Sequence, residues 1–250
     1  MSGHSKWAGI KHKKAVIDAR RGKTFAKRLR AIEVAAREGG GKLDANPTLA
    51  DAVSRAKADS IPAETIDRAI KRGTGELEGV TYETLVYEGY APGGVAVLVE
   101  VLTDNRNRAA AEVRRIFTKY GNALAEPGSV SWMFTKRGVV LVPKVVEVSE
   151  DDLMAVALQE GAEDLTDEGD LWQITSAPHD LPRLREAIEA AGYPIESAEI
   201  TMEASTLVPV DREGAPAVLR LVDALEELDD VQEVHSNFDM PEELLAELSG

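Results

Sequence analysis

Ten basic side chains fall within the first 30 residues, at Lys6, Lys11, Lys13, Lys14, Arg20, Arg21, Lys23, Lys27, Arg28 and Arg30, against a single acid, Asp18. Cations at that density suit one task. They neutralise successive phosphates of a nucleic acid and release its condensed counterions. About six such contacts imply a loss of roughly 10³ in affinity between 50 and 200 mM salt. Trp7 stands among these cations, and its ring either stacks on an exposed base or anchors the segment to the protein. His4 and His12 lack an acid or cysteine to complete a metal site, and the neighbouring cations repel a metal, so His12 joins the phosphate-contacting set. No helix-turn-helix signature and no aromatic pattern of an RNA-recognition strand is present, so backbone contact is expected rather than base readout.

A second candidate is Thr103-Asp104-Asn105-Arg106-Asn107-Arg108, at an expected strand-to-helix turn. Free backbone N–H groups and the helix dipole favour an anion there, and Arg106 and Arg108 can clamp a phosphate. The opposing reading has Asp104 and Asn105 capping the helix while the arginines pair with the protein's own acids. Arg115 and Lys119 continue the face of Arg108 at helical spacing. The run Glu226-Glu227-Leu228-Asp229-Asp230 ends an expected helix and reads as a solvated acidic face rather than a divalent-metal site. The predicted nucleic-acid contacts are thus Lys6, Trp7, Lys11, His12, Lys13, Lys14, Arg20, Arg21, Lys23, Lys27, Arg106 and Arg108. No catalytic residue, metal ligand or cofactor is predicted.

Enzymatic signatures are weak. Gly73-x-Gly75 lacks the Gly-Lys-Ser/Thr that completes a phosphate loop. No serine sits in a nucleophile elbow. His179 and His235 lie in separate contexts, and the absence of cysteine removes thiolate chemistry and cysteine metal sites. A metal-dependent nuclease, built from scattered aspartates, is the enzymatic alternative. An adaptor working through its acidic domains alone is a third class.

The elements that must position these residues divide the chain by charge. The net charge is −15. Residues 1–75 hold 17 Lys/Arg and 8 Asp/Glu, whereas residues 76–250 hold 12 and 36. A cationic binding module attached to an acidic body fits this asymmetry, and the body would repel a polyanion. No apolar run approaches the ~18 residues of a membrane span. No apolar stretch follows the basic N-terminus as in a secretory signal, so a soluble, cytoplasmic monomer is expected.

Phe25, Leu29, Ile32 and Ala36 recur at helical spacing up to Gly39-Gly40-Gly41. Asn46-Pro47 opens a second helix and Pro62 a third, closed by Gly73. Residues 73–79 read as a linker. Val86–Tyr90 and Val95–Leu102 then read as strands about a type II turn at Ala91-Pro92-Gly93-Gly94. A helix to Tyr120 and a strand over Ser129–Phe134 follow. Residues 138–202 give β-α-β-β-α-β, the ferredoxin-like order. The later strand, helix and strand (207–237) complete the sheet begun near 82, and a short helix is expected from Pro241. The expected fold is α+β: an N-terminal three-helix domain (1–75), then two ferredoxin-like α/β domains. The third (136–203) is inserted into the second (80–134 plus 205–240).

GHSKWAGIKHKKAVIDARRGKTFAKRL (3–29) resembles the opening signature of the YebC/PmpR family, which includes the mitochondrial translational activator of cytochrome c oxidase subunit I. Residues 46–75, 87–114, 128–134 and 224–239 resemble its later blocks in order. Departures are local: Ala91 where the family often has Gly, His235 where it often has Tyr, and residues 120–128. The resemblance implies one helical and two ferredoxin-like domains and a role in gene expression. That role is either that of a DNA-binding transcriptional regulator or that of a ribosome-associated factor relieving stalling at proline-rich stretches.

Overall fold

A computed structural model describes residues 18–144, 149–241, 244, 247 and 248, the side chains of 18–22 excepted. The chain forms two compact units. One is Phe134–Ser205; the other joins the chain up to Met133 with the chain from Thr206 onward.

The larger unit begins with three helices, α1 (Asp18–Gly39), α2 (Pro47–Ala58) and α3 (Ala63–Gly73). Ile32, Ala35 and Ala36 of α1 bury against Leu49, Val53 and Ala56 of α2 and Ile66 and Ala69 of α3. The spacing is that of one apolar helical stripe. α1 stops where Gly40 takes φ +83, and its N–H donates to the Ala36 carbonyl at 2.9 Å. Asn46 serves both helix ends: its Oδ1 accepts from Leu49 N–H at 3.1 Å, and its Nδ2 donates to the Ala35 carbonyl at 2.8 Å. Gly73 lets α3 touch α1, since a Cβ there would stand 2.4 Å from the Glu33 carbonyl oxygen. α1 starts more than a turn before the apolar period does. Ala19, Arg20, Arg21 and Lys23 are good helix formers, so Arg20 and Arg21 lie on helical backbone rather than on an arm.

Strands β1 (Glu83–Tyr90) and β2 (Ala96–Thr103) form an antiparallel hairpin. The turn between them has Gly93 at φ 79, ψ 5, the third position of a type II turn. Helix α4 (Arg106–Tyr120) follows. Val97, Val99 and Val101 of β2 pack against Ala109, Val113, Ile116 and Phe117 of α4. Each such buried side chain contributes roughly 1.5–3 kcal/mol.

The smaller unit runs β3 (Phe134–Pro143), α5 (Glu150–Gln159), β4 (Ala162–Asp167), β5 (Leu171–Ser176), α6 (Leu181–Ala190) and β6 (Ser197–Ala204). Its sheet order is β4-β5-β3-β6, antiparallel throughout, which is the ferredoxin-like arrangement. Leu153, Ala157, Leu184 and Ile188 of its helices meet Val140, Val142 and Ile174 of its sheet.

The chain then returns through β7 (Val208–Pro209), α7 (Ala215–Glu226), β8 (Val231–Ser236) and β9 (Phe238–Asp239). β8 completes the three-stranded sheet β1-β2-β8, and β7 pairs with β9 in parallel. The β2–β8 ladder shifts register between Glu100 and Val101. Beyond the shift, Leu102 N–H donates to the Asp230 carbonyl at 2.9 Å, which seats Asp230 at the end of β2. Among the described residues no helix is long and apolar enough to cross a membrane. Most of the helix expected after Pro241 lies outside the described residues.

One expected strand is not there. Over Ser129–Phe134 the chain makes a 3-10 turn (Ser131–Met133), and β3 starts only at Phe134. The buried Glu88 carboxylate of β1 accepts from the N–H groups of Gly128 (2.7 Å), Val130 (2.7 Å) and Ser131 (2.9 Å), winding the segment around itself. A ladder would need those donors. Burial pushes the Glu88 carboxyl up, but these three N–H groups with the Ser131 hydroxyl hold it below the usual glutamate range.

Candidate nucleic-acid interface

The described cations of α1 do not stand free in solvent. Lys23 Nζ lies 3.2 Å from Asp229 Oδ1 and donates to the Glu227 carbonyl at 3.2 Å. Lys27 Nζ donates to the Glu226 carbonyl. Arg30 Nη1 donates to the Asp229 carbonyl at 2.8 Å and to Asp230 Oδ1 at 3.0 Å, and its guanidinium sits 5.6 Å from the Tyr82 ring centre. The physics is that of a helix C-terminus. The last carbonyls of α7 have no partners within the helix and carry the negative end of its dipole. Two lysines and an arginine from α1 occupy that end. Burial lowers the Lys27 ammonium to about 8, against the pull of Glu226, Glu227 and Asp229.

The acidic run is a solvated face at Glu227 and Asp229, as its composition suggests, but not at Asp230. Asp230 is 4% exposed, and its Oδ2 accepts from Thr103 Oγ1 (2.9 Å) and Arg108 Nη2 (2.8 Å) while Oδ1 holds Arg30. One carboxylate thus ties the helical module, the end of β2 and the start of α4. A second tie joins α2 to β8, where Arg55 pairs with Asp51 on its own helix and with Glu233. Burial pushes the Glu233 carboxyl up, and Arg55, His235 and Arg28 together hold it below the usual range.

At the start of α4 both sequence readings are realised, one for each arginine. Asn105 Oδ1 caps the helix by accepting from Arg108 N–H at 3.0 Å. Arg108 is consumed by the protein's own acids, with Nη2 2.8 Å from Asp104 Oδ1 as well as from Asp230. Arg108 also holds the Asp104 carboxyl below its usual range. Arg106 is exposed and has no ion pair among the described residues. Burial raises the Tyr87 phenol on β1 against the pull of Arg106 and Arg114.

Of the twelve predicted contacts, Lys6, Trp7, Lys11, His12, Lys13 and Lys14 lie outside the described residues. Arg20 and Arg21 are placed on the backbone of α1, with their side chains outside the description. The structure brings Lys23, Lys27 and Arg108 to one acidic run and leaves Arg106 apart. Arg114 was missed by the sequence reading, although the helical spacing Ala111, Arg114, Arg115, Thr118 signals it. Trp132, 69% exposed on the loop that Glu88 organises, was also missed, because the strand expected there hides it.

These features define an architectural class: an acidic α+β body that grips a basic helical module by its cations and carries a ferredoxin-like insert. Residues 5–76 match the family domain described as "TACO1/YebC protein N-terminal domain", and residues 82–238 match "TACO1/YebC second and third domain". A "Probable transcriptional regulatory protein" of Beutenbergia cavernae is 57% identical over 249 residues, covering 99% of each chain. Another of that name from Thermobifida fusca is 56% identical over 250 residues, covering 100% of each. The crystal structure of a conserved hypothetical protein from Aquifex aeolicus superposes with a TM-score of 0.76 at 48% identity, covering 90% of this chain and 92% of that one. The chain belongs to the TACO1/YebC family.

Proposed function

We propose that this chain is a nucleic-acid-binding regulator of gene expression that acts on DNA, without catalysis or cofactor, as a cytoplasmic monomer. The observation that carries the reading is the segregation of charge: 17 Lys/Arg against 8 Asp/Glu in residues 1–75, and 12 against 36 thereafter. A polyanion meets attraction at one end of such a chain and repulsion over the rest. Lys23, Lys27, Arg30 and Arg108 are engaged by the body's own acids and carbonyls. Phosphate contact accordingly falls to Lys6, Lys11, Lys13, Lys14, Arg20 and Arg21, with His12 and Trp7 among them, and to exposed Arg106. The relatives' name, "Probable transcriptional regulatory protein", supports a regulatory role.

The test is competitive binding of the purified protein to duplex promoter DNA and to ribosomes at physiological salt, with and without residues 1–22. Sequence-dependent DNA binding that survives salt and requires residues 1–22 is the expected result. Saturable ribosome binding with weak, salt-labile DNA binding would replace DNA by the ribosome as target. Binding to neither, or binding indifferent to the deletion, would overturn the reading. Adding Mg²⁺ to the bound DNA separates a binder from a nuclease, which would degrade it.

A further inference from the structure

We infer that the outer face of α4, through Arg114, Arg115 and Lys119, is a second phosphate-backbone site for the nucleic acid held by the N-terminal segment. This rests on the nucleic-acid reading above and adds a surface to it. The body of this protein is strongly acidic, and its arginines are mostly matched to acids: Arg28, Arg30, Arg55, Arg72, Arg108, Arg137 and Arg183 each pair with a carboxylate. Arg114 and Arg115 are exposed on one helix and have no carboxylate within ion-pair distance among the described residues. Lys119 rests its ammonium 4.6 Å from the centre of the Tyr120 ring and likewise has no acid partner there. Three cations left without counter-charge in such a body need an external anion or bulk counterions.

The face suits a phosphate backbone. Ala111 and Thr118 are small, so the arms of Arg114, Arg115 and Lys119 border a shallow, open depression of ≈ 500 Å³. Arg114 to Lys119 covers about 7.5 Å of axis at ~1.5 Å per residue, enough to reach neighbouring phosphates of one strand. The opposite face of the helix is fixed, with Val113, Ile116 and Phe117 buried under β2 and α7, so the cations are presented from a rigid support. A protein partner would call for an apolar centre to the patch, and this face offers only Ala111 and the Thr118 methyl. Openness and the lack of a groove-entering shape indicate contacts that position the strand rather than read bases.

The experiment uses the full chain and a fluorescein-labelled 30-base-pair duplex, with binding followed by anisotropy from 50 to 300 mM KCl. The variant is Arg114→Gln/Arg115→Gln/Lys119→Gln. A control with the same charge change is Lys136→Gln/Arg183→Gln/Arg185→Gln in the smaller unit. Thermal melts confirm that all three proteins fold alike. The α4 variant should bind more weakly and lower the slope of log K against log salt by about 2–3, so that its affinity falls roughly 16–64-fold less than the parent's between 50 and 200 mM. The control should keep the parental slope. An unchanged slope in the α4 variant, alongside binding that still requires residues 1–22, overturns this inference and leaves the proposed function standing. Equal losses in variant and control reduce the effect to net charge and also overturn it. Failure of the parent itself to bind would sink the nucleic-acid reading first, and this inference with it.

Discussion

Asp230→Asn removes one negative charge from the point where the helical module, β2 and α4 meet, and keeps the side chain's shape. The carboxylate side chain is 5% exposed and Arg30, its partner at 3.0 Å, is 23% exposed, so little solvent replaces the lost attraction. A charge-assisted hydrogen bond of this kind contributes about 1.5–3 kcal/mol. Arg108 is 45% exposed and retains Asp104, so screening reduces its share to about 0.5 kcal/mol. Thr103 Oγ1 can still donate to the amide oxygen. The expected cost is about 2–3.5 kcal/mol, or a fall in Tm of roughly 4–14 °C for a chain of this size. Urea unfolding followed by circular dichroism measures it. A double-mutant cycle with Arg30→Met isolates the pair and should give a coupling of about 1–2 kcal/mol. A cost below about 0.5 kcal/mol, the range of ordinary surface substitutions, would refute the reasoning and place Asp230 with the solvated rest of the acidic run.

Lys27→Met tests the buried ammonium. Its folded-state value of about 8 lies below the usual 10.5, so the unfolded chain binds more protons across that window and this group's contribution to stability rises with pH through it. The variant should lose that rise, at most about 3 kcal/mol, and identical pH slopes between pH 8 and 10.5 in urea melts would count against the assignment. Glu88→Gln turns a triple acceptor into a group whose amide hydrogens face other donors, at a cost of roughly 1–3 kcal/mol. Because the folded carboxyl lies below its usual 4.5, its stabilisation is present above that value and is lost as pH falls through the folded value. Acid-unfolding curves should therefore be flatter in the variant. Gly89→Ala would put a Cβ 2.4 Å from Phe117 Cε1 in the core, and guanidinium melts should show a loss of about 1–3 kcal/mol. A wild-type midpoint would mean that the close contact relaxes freely.

What the sequence made legible was whatever is settled within a few residues. Asn46-Pro47 announces a helix start, and the Asn46 side chain caps it as expected. Alternating and helical periods mark the β-α-β-β-α-β insert. The failures are non-local. Ser129–Phe134 has the composition of a strand, and only a glutamate some 40 residues earlier diverts its N–H groups. The run 226–230 is a solvated face except at Asp230, and the arginine that meets that buried carboxylate lies 200 residues away. For the candidate site, the sequence identified the residue types and their charge, but not which cations the protein keeps for itself. Arg106 and Arg108 are indistinguishable by spacing, and they part only because Arg108 lies within reach of Asp230.

The insert also sets a timetable. β1, β2 and α4 emerge during synthesis before it, whereas α7 and β8, which finish their core, emerge after some 70 further residues. At ~5–20 residues per second that interval is roughly 4–14 s. Throughout it, Val97, Val99 and Val101 have α4 as cover but neither α7 nor β8. The carboxylate that receives Arg30 and Arg108 has not yet been made. The self-contained insert can close first, and Lys23, Lys27 and Arg30, made earliest, are the last to acquire their counter-charges. In that interval Lys23, Lys27 and Arg30 of α1 lack the carbonyls and carboxylates that engage them in the finished fold, whereas Arg28 already has Asp59 within its own module.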